Sequence, residues 1–429
     1  MKRHLTLAAI GAALFASPLL DQPSRAQDKP AALTVLGHRV HQSVSTGETA
    51  GTTGGDVTES WRKASGVQIN WVTADISPLH DRLIREMTLS AANIDLAFFL
   101  NRFVSPKVFA LLEPLDDLQA KDPIEDFEGL SKGMRDGMTF NGKLYGIPFR
   151  QATNALLYNE TLLKQAGFSG PPATFQQLLE MAKKLYRKDS SGNEIFGLAQ
   201  ESGSSPVFLL NMALANGKQL LQPDYKLNAD TPEYVATLKQ LKDLYDNGGL
   251  IKNFTSAKLD NQLADLQNGR AAMTINPFGR LAVLNDPKLS RFPGQIKAVS
   301  VPPGADGKTP AQTEVWYLVI PKNSRNKQLA WGLIKALSSP DATVRETLNG
   351  NGPTRPGAYK DPRIVAANPF AAAEAESVAA ARLAFPGFDK VQEAQDILSE
   401  ESDAMLLGRQ TAEQAAKNTQ QRIQALLPK

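Results

Sequence analysis

The 429-residue chain contains no cysteine, only four histidines and no marked excess of either charge. Without cysteine there is no disulfide framework, thiol nucleophile, thiolate-bound zinc, iron–sulfur cluster or lipid attachment through an N-terminal cysteine. A net charge of +3 with interspersed signs gives no basic surface of the kind that holds nucleic acid or anionic lipid. Internal repeats and low-complexity tracts are also missing, which excludes solenoids and disordered tails. What is present is an ordinary globular composition, 42% apolar and 21% charged, over a length that suggests two or three domains with sizeable cores.

The N-terminus reads as an export signal. Met1, Lys2, Arg3 and His4 form a basic head before the 12-residue apolar stretch Leu5 to Ala16, too short to span a bilayer. Ser24 and Ala26 stand at minus three and minus one of a cleavage site after Ala26, so residues 1–26 are expected to be removed. Losing Lys2, Arg3, Arg25 and Asp21 leaves 44 basic and 43 acidic residues. No later stretch is apolar enough for a second span, and a freely soluble periplasmic product is expected.

Beyond the signal, short apolar runs at Leu33–Leu36, Val67–Val72 and Ile94–Phe99 alternate with helical patterns. One helix is expected to open at Ser77–Pro78, with Leu79, Leu83, Ile84, Met87 and Ala91 on one face. This βαβα order predicts an α/β fold with a parallel sheet and ligands at the carboxyl ends of its strands. Residues 146–159 pass from a turn-rich segment to an apolar strand and read as a crossing between lobes. Helices are expected after Asn159, after Thr174 and after Thr231, and strands at Ala272–Ile275, Ile296–Val301 and Val315–Ile320. From about Ser338 onward the pattern is almost entirely helical.

The segments NGKLYGIPF (141–149), LLYNETLLKQAGF (156–168), PPATFQQLLEMAKKL (171–185), LQNGRAAMTIN (266–276), VIPKNSRNKQLAWGLIKALSSPDA (319–342) and GPTRPGAY (352–359) occur in this order. In them the chain resembles the family 1 extracellular solute-binding proteins of bacterial ABC importers, which include maltose- and oligosaccharide-binding proteins. The resemblance implies a two-lobed periplasmic-binding fold of type II, maltose-binding-protein-like, with extra C-terminal helices. Lobe 1 would comprise 27–149 and 280–337, lobe 2 would comprise 154–273 and 338–429, and the hinge crossings would lie at about 149–154 and 274–278. It further implies a small-molecule ligand held between the lobes without cofactor or chemistry, a monomer, and an inner-membrane ABC permease as partner. A ligand that touches both lobes favours closure by its differential affinity for the closed state.

Candidate ligand residues follow from position. The stretch Gly37–Gly55, with Arg39, Gln42 and many glycines, looks like an unusually long strand-to-helix connection whose N–H groups could meet a ligand; a solvated surface loop is the competing reading. Asn101 and Arg102 follow the third strand, Arg150 sits at the first crossing, and Phe278 and Arg280 follow the second. Trp316 could stack on a sugar ring or belong to the core, and Arg355 could fork onto a ligand oxygen or make a salt bridge. Five arginines among these candidates tilt the expectation toward a sugar acid or another small organic anion beside a neutral saccharide.

The competing class is a secreted carbohydrate-active enzyme. Asp116–Asp117 and Glu400–Glu401 are sequence neighbours whose side chains diverge, whereas a glycosidase needs two carboxylates about 5 to 10 Å apart facing one bond. The sequence has no G-x-S-x-G elbow, Walker loop or H-E-x-x-H helix. His38 and His41, three apart, lack neighbours to complete a metal set, so no metal is expected. A structural or adhesive protein is disfavoured by the lack of repeats.

Overall fold

A computed structural model describes residues 30–48, 52–202, 206–222 and 224–428. The expected signal peptide lies outside them. Strands β1 (Ala32–Gly37), β2 (Gln68–Thr73) and β3 (Leu96–Leu100) pair in parallel in the order β2-β1-β3, as the βαβ pattern requires. Helix α1 (Arg39–Thr46) follows β1 after a single residue, so the first part of the expected long connection is helical. His38 caps it, its Nδ1 accepting from the Val40 N–H at 3.2 Å, and Gly47 ends it in the left-handed region at φ 68°. Residues 49–51 of the expected connection lie outside the described residues. Gly54 and Gly55 are pinned by Arg345 and Asn349 side chains, and a Cβ on Gly54 would lie 1.9 Å from the Arg345 carbonyl. Helix α2 (Ile76–Met87) starts two residues before the expected Ser77–Pro78 opening, with Asp75 as its N-cap residue.

The segment that joins the lobes is one uninterrupted strand, β4 (Ile147–Asn159). Its first half pairs antiparallel with β8 (Gln312–Val319), which itself runs antiparallel to β3. Its second half pairs on one edge with β6 (Ala271–Pro277) and on the other with β7 (Ile296–Ser300). Strand β5 (Glu194–Leu198) lies parallel to β6. The sheet is therefore mixed, not wholly parallel, because the chain returns across the lobes.

Two main apolar cores flank this junction. The first holds Leu33, Phe98, Tyr317 and Trp331, and the second Leu178, Phe208, Leu241 and Ile397. Their membership revises the expected boundaries. Residues 281–300 pack with second-lobe elements, since β7 pairs with the far half of β4. Helix α3 (Lys327–Ser338) and helix α4 (Pro340–Leu348) both pack on the first lobe, with Ala342 in its core, so the first lobe extends past residue 337. A third passage follows: helix α5 (Ala371–Ala380) lies against β4 and β7, and β9 (Arg382–Leu383) pairs with β8. Helices α6 (Val391–Leu406) and α7 (Ala412–Gln424) complete the second core, as expected of the C-terminal helical region.

The lobes also touch outside the strands. Phe385 and Phe388 are buried in the second core, and the intervening Gly387 meets the Val104 backbone of the first lobe. Asp389 pairs with Lys107 at 2.6 Å. A Cβ at 387 would sit 2.5 Å from the Val104 carbonyl oxygen. Gly387→Val should therefore hold the lobes apart at this rim and weaken solute binding about tenfold, about 1.4 kcal/mol. Small-angle scattering and titration calorimetry check it; an unchanged radius of gyration and affinity would remove this contact from the closing motion.

Candidate functional site

A cavity of about 250 Å³ lies between the lobes, where the strand crossings meet. The first lobe contributes Ile76 at the start of α2, Asn101 and Arg102 just after β3, and Gln312, Thr313 and Glu314 at the start of β8. The crossing strands contribute Ala152, Asn154, Asn276 and Pro277, and Arg280 follows them. Gln200, Val207, Phe208, Gln262, Ile275, Phe385 and Gln395 belong to the second lobe. Seven lining side chains are amides, each offering both donor and acceptor. Apolar walls with a few convergent polar groups are the usual composition of a small-molecule site.

Several of these amides are held before any ligand arrives. Asn101 Oδ1 accepts from the Val315 N–H at 2.8 Å, which fixes the side chain at the carboxyl end of β3. On the other side, Thr274 is fully buried, and its Oγ1 accepts from Gln262 Nε2 at 2.7 Å and, at 3.4 Å each, from Gln200 and Asn276. Gln262 Nε2 also lies 3.1 Å from Gln200 Oε1 and from the Ala199 carbonyl. One hydroxyl thus orients three cavity amides. The wall keeps unmet capacity: Gln312 Oε1 and Arg102 Nε are buried without a hydrogen-bond partner. Buried polar atoms are rarely left unpaired, so such atoms at a cavity wall mark where a polar ligand supplies the missing partner.

Charges gather at the same place. Arg102 pairs with Glu314 at 3.3 Å, while Arg280 has no ion pair among the described residues. Burial, then the Arg280 charge, pulls the Arg150 guanidinium down to about 10, with Glu374 acting the other way. Burial likewise lowers Arg280, opposed by Asp260 and Glu314. His38 is lowered by burial and by both arginines against the pull of Asp75.

Of the sequence-predicted site residues, Asn101, Arg102 and Arg280 line the cavity. Arg150 lies beside it, with Nη1 donating to the Asn351 side chain at 3.1 Å and to the Gly350 carbonyl at 3.3 Å. The others sit elsewhere. Arg39 is exposed at the first position of α1 and Gln42 half-buried on the same helix; neither lines the cavity. Phe278 is buried against Leu157 and Leu281. Trp316 is core: it is buried, and its ring meets that of His41 edge-on at 4.4 Å. Arg355 is 3% exposed and clamps backbone carbonyls of the first lobe, so it has no fork to offer a ligand. The amides Asn154, Gln200, Gln262, Asn276, Gln312 and Gln395 were missed. For Asn154 and Asn276 a signal existed, a polar residue inside an apolar strand at each crossing.

A two-lobed fold, joined by crossing strands and holding a polar cavity at their junction, defines the class of solute-binding proteins. The match is specific: the bacterial extracellular solute-binding protein family covers residues 47–344, and the chain belongs to it. It is a family of binding proteins, not of enzymes. The chain is 23% identical, over its full length and 98% of the relative, to a probable amino-acid ABC transporter periplasmic-binding protein of Sinorhizobium fredii. It is 25% identical to the mannitol-binding protein of Pseudomonas aeruginosa over 73% of this chain and 72% of that one. Among solved structures, an ABC transporter solute-binding protein of Thermotoga lettingae bound to α-D-tagatose superposes with a TM-score of 0.77 at 24% identity, covering 93% of this chain and all of that one. Among the described residues no helix is long and apolar enough to cross a membrane, and no cluster of metal-binding side chains occurs.

Proposed function

We propose that this chain is the periplasmic solute-binding component of an ABC importer, and that it captures a compact polyhydroxylated solute of monosaccharide or linear-polyol size. The observation that carries this is the cavity's seven amides, drawn from both lobes and both crossings and joined by Thr313. Each hydroxyl of a polyol both donates and accepts, and an amide answers both. A volume of about 250 Å³ stands just below the usual range for small-molecule pockets and suits one small solute rather than a long oligosaccharide. The mannitol-binding and tagatose-bound relatives support the same class. Because the wall comes from both lobes, occupancy stabilises closure, and a permease that touches both lobes can read that state.

The test is a thermal-shift and calorimetric panel on the mature protein with D-mannitol, ribitol, D-glucose, maltose and an amino-acid set. A small polyhydroxylated compound should raise the midpoint through linkage and return chemically unchanged. Thr274→Val removes the shared acceptor beneath three amides and should weaken that binding about tenfold, about 1–2 kcal/mol, while the variant stays folded. Binding confined to amino acids, or a turnover product by mass spectrometry, would overturn the reading.

A further inference from the structure

We infer that the solute carries one oxyanion, a carboxylate or a phosphate, on its polyhydroxyl chain, and that Arg280 binds it. This rests on the polyhydroxyl reading of the cavity and narrows it. The short turn Phe278–Arg280 follows the second crossing and packs on β4, which places the Arg280 side chain at the cavity wall. No hydrogen bond or ion pair to its side chain occurs among the described residues. Of the carboxylates that influence it, Glu314 is engaged by Arg102 and Asp260 is beyond ion-pair distance.

The neighbours sharpen the point. Arg150, on the strand against which that turn packs, donates among the described residues to the Gly350 carbonyl and the Asn351 side-chain oxygen. The carboxylate nearest in effect to it, Glu374, is taken up by Gln151 at 3.0 Å and Asn368 at 3.1 Å. The Arg280 charge disfavours that of Arg150, and both arginines disfavour protonation of His38, which Asp75 offsets. The turn that carries Arg280 thus packs on the strand that carries Arg150, and among the described residues neither guanidinium makes an ion pair, although Glu201 and Glu314 also line the cavity. A neutral polyol leaves that repulsion in place, whereas an oxyanion relieves it and matches the planar donor fork of arginine. The seven amides remain for the hydroxyls.

The experiment compares D-glucitol, D-gluconate and D-glucitol 6-phosphate by calorimetry at low and high salt on the wild-type mature protein and on Arg280→Gln and Arg280→Lys. D-Gluconate or the phosphate should bind at least tenfold more tightly than D-glucitol, and the advantage should shrink with salt. Which of the two prevails distinguishes carboxylate from phosphate. Arg280→Gln should bring the acid-to-neutral ratio of Kd to near one, and Arg280→Lys, which keeps the charge but loses the fork, should fall between. D-Glucitol binding as tightly as either anion, with the ratio untouched by Arg280→Gln, overturns the inference and leaves the polyhydroxyl reading standing. If none of the three shifts the thermal midpoint or gives heat, the inference fails, and the polyhydroxyl reading stands or falls on the wider panel given above. Circular dichroism of the variants separates lost binding from lost fold, and the wild-type ratio decides the matter even if a variant does not fold.

Discussion

Arg355→Ala should cost about 2–4 kcal/mol of folding stability, the scale expected when backbone carbonyls in a packed region lose a charged donor. Arg355 is 3% exposed. Nη2 donates to the Ser338 carbonyl at 2.7 Å and the Glu125 carbonyl at 2.9 Å, and Nη1 to the Asp126 carbonyl at 2.5 Å and the Asp126 carboxylate at 2.9 Å. Ser338 ends α3, so Arg355 satisfies one of the carbonyls that every helix leaves unpaired at its C-terminus and places a positive charge at the negative end of the helix. The clamp also holds Asp126 at φ 48°, a left-handed conformation that a non-glycine residue keeps only under constraint. Alanine leaves three carbonyls without this donor and frees that turn. Denaturant unfolding monitored by tryptophan fluorescence checks it, and a midpoint unchanged within error would show that the carbonyls find other partners. Solute affinity measured where the variant is folded should stay within about twofold, about 0.4 kcal/mol, because Arg355 lies outside the cavity.

Acid should destabilise the chain between pH 6.5 and 4 through two buried histidines. His80 is fully buried, its Nδ1 lies 2.6 Å from the Ile76 carbonyl, and its Nε2 accepts from the Leu100 N–H at 2.9 Å. The proton therefore belongs on Nδ1, and adding a second at Nε2 would set two N–H donors against each other. Burial brings His80 down to about 4, with the Arg102 charge acting in the same direction and the Ile76 hydrogen bond opposing. The sign follows from linkage. Above pH 6.5 the imidazole is neutral in both states and the full stability is present. As pH falls through 6.5 the unfolded chain takes up a proton that the folded chain refuses, so stability is lost until about pH 4. A shift of that size amounts to about 3 kcal/mol. His41, stacked on Phe98 at 4.2 Å with Nδ1 accepting from the His38 N–H at 3.1 Å, is lowered by burial as well and acts in the same sense. Unfolding midpoints at pH 7.5 and 4.5 measure the sum, and NMR titration of the imidazole protons assigns it. A His80 signal titrating near 6.5 would sink the argument.

Much of the fold was open to inference from residues alone. The parallel strands, the caps at Asn159, Thr174 and Thr231, and the crossing at 146–159 depend on local signals: hydrophobic period, capping side chains and glycine or proline breaks. The same signals hid α1. Its start is capped by a histidine rather than the usual serine, threonine or aspartate, and the glycines that follow it resemble a loop. The candidate site was legible only in part. Asn101, Arg102 and Arg280 could be placed because they follow strands that end at the cleft. Arg355 could not, since an arginine between two prolines suits a ligand fork and a carbonyl clamp equally well, and only its burial against residues 125 and 126, more than 200 positions away, separates the two.

By itself, then, the sequence determined the class of fold and the existence of two lobes, because these are encoded in contiguous stretches whose periodicity and breakers act locally; the third passage, at residues 371–383, it did not show. Tertiary structure decided which polar side chains share the cavity. Gln200, Gln262 and Asn276 meet at Thr274, and Gln312 lines the same cavity from the other lobe; that meeting depends on strand pairings between segments far apart in the chain, which no local propensity specifies.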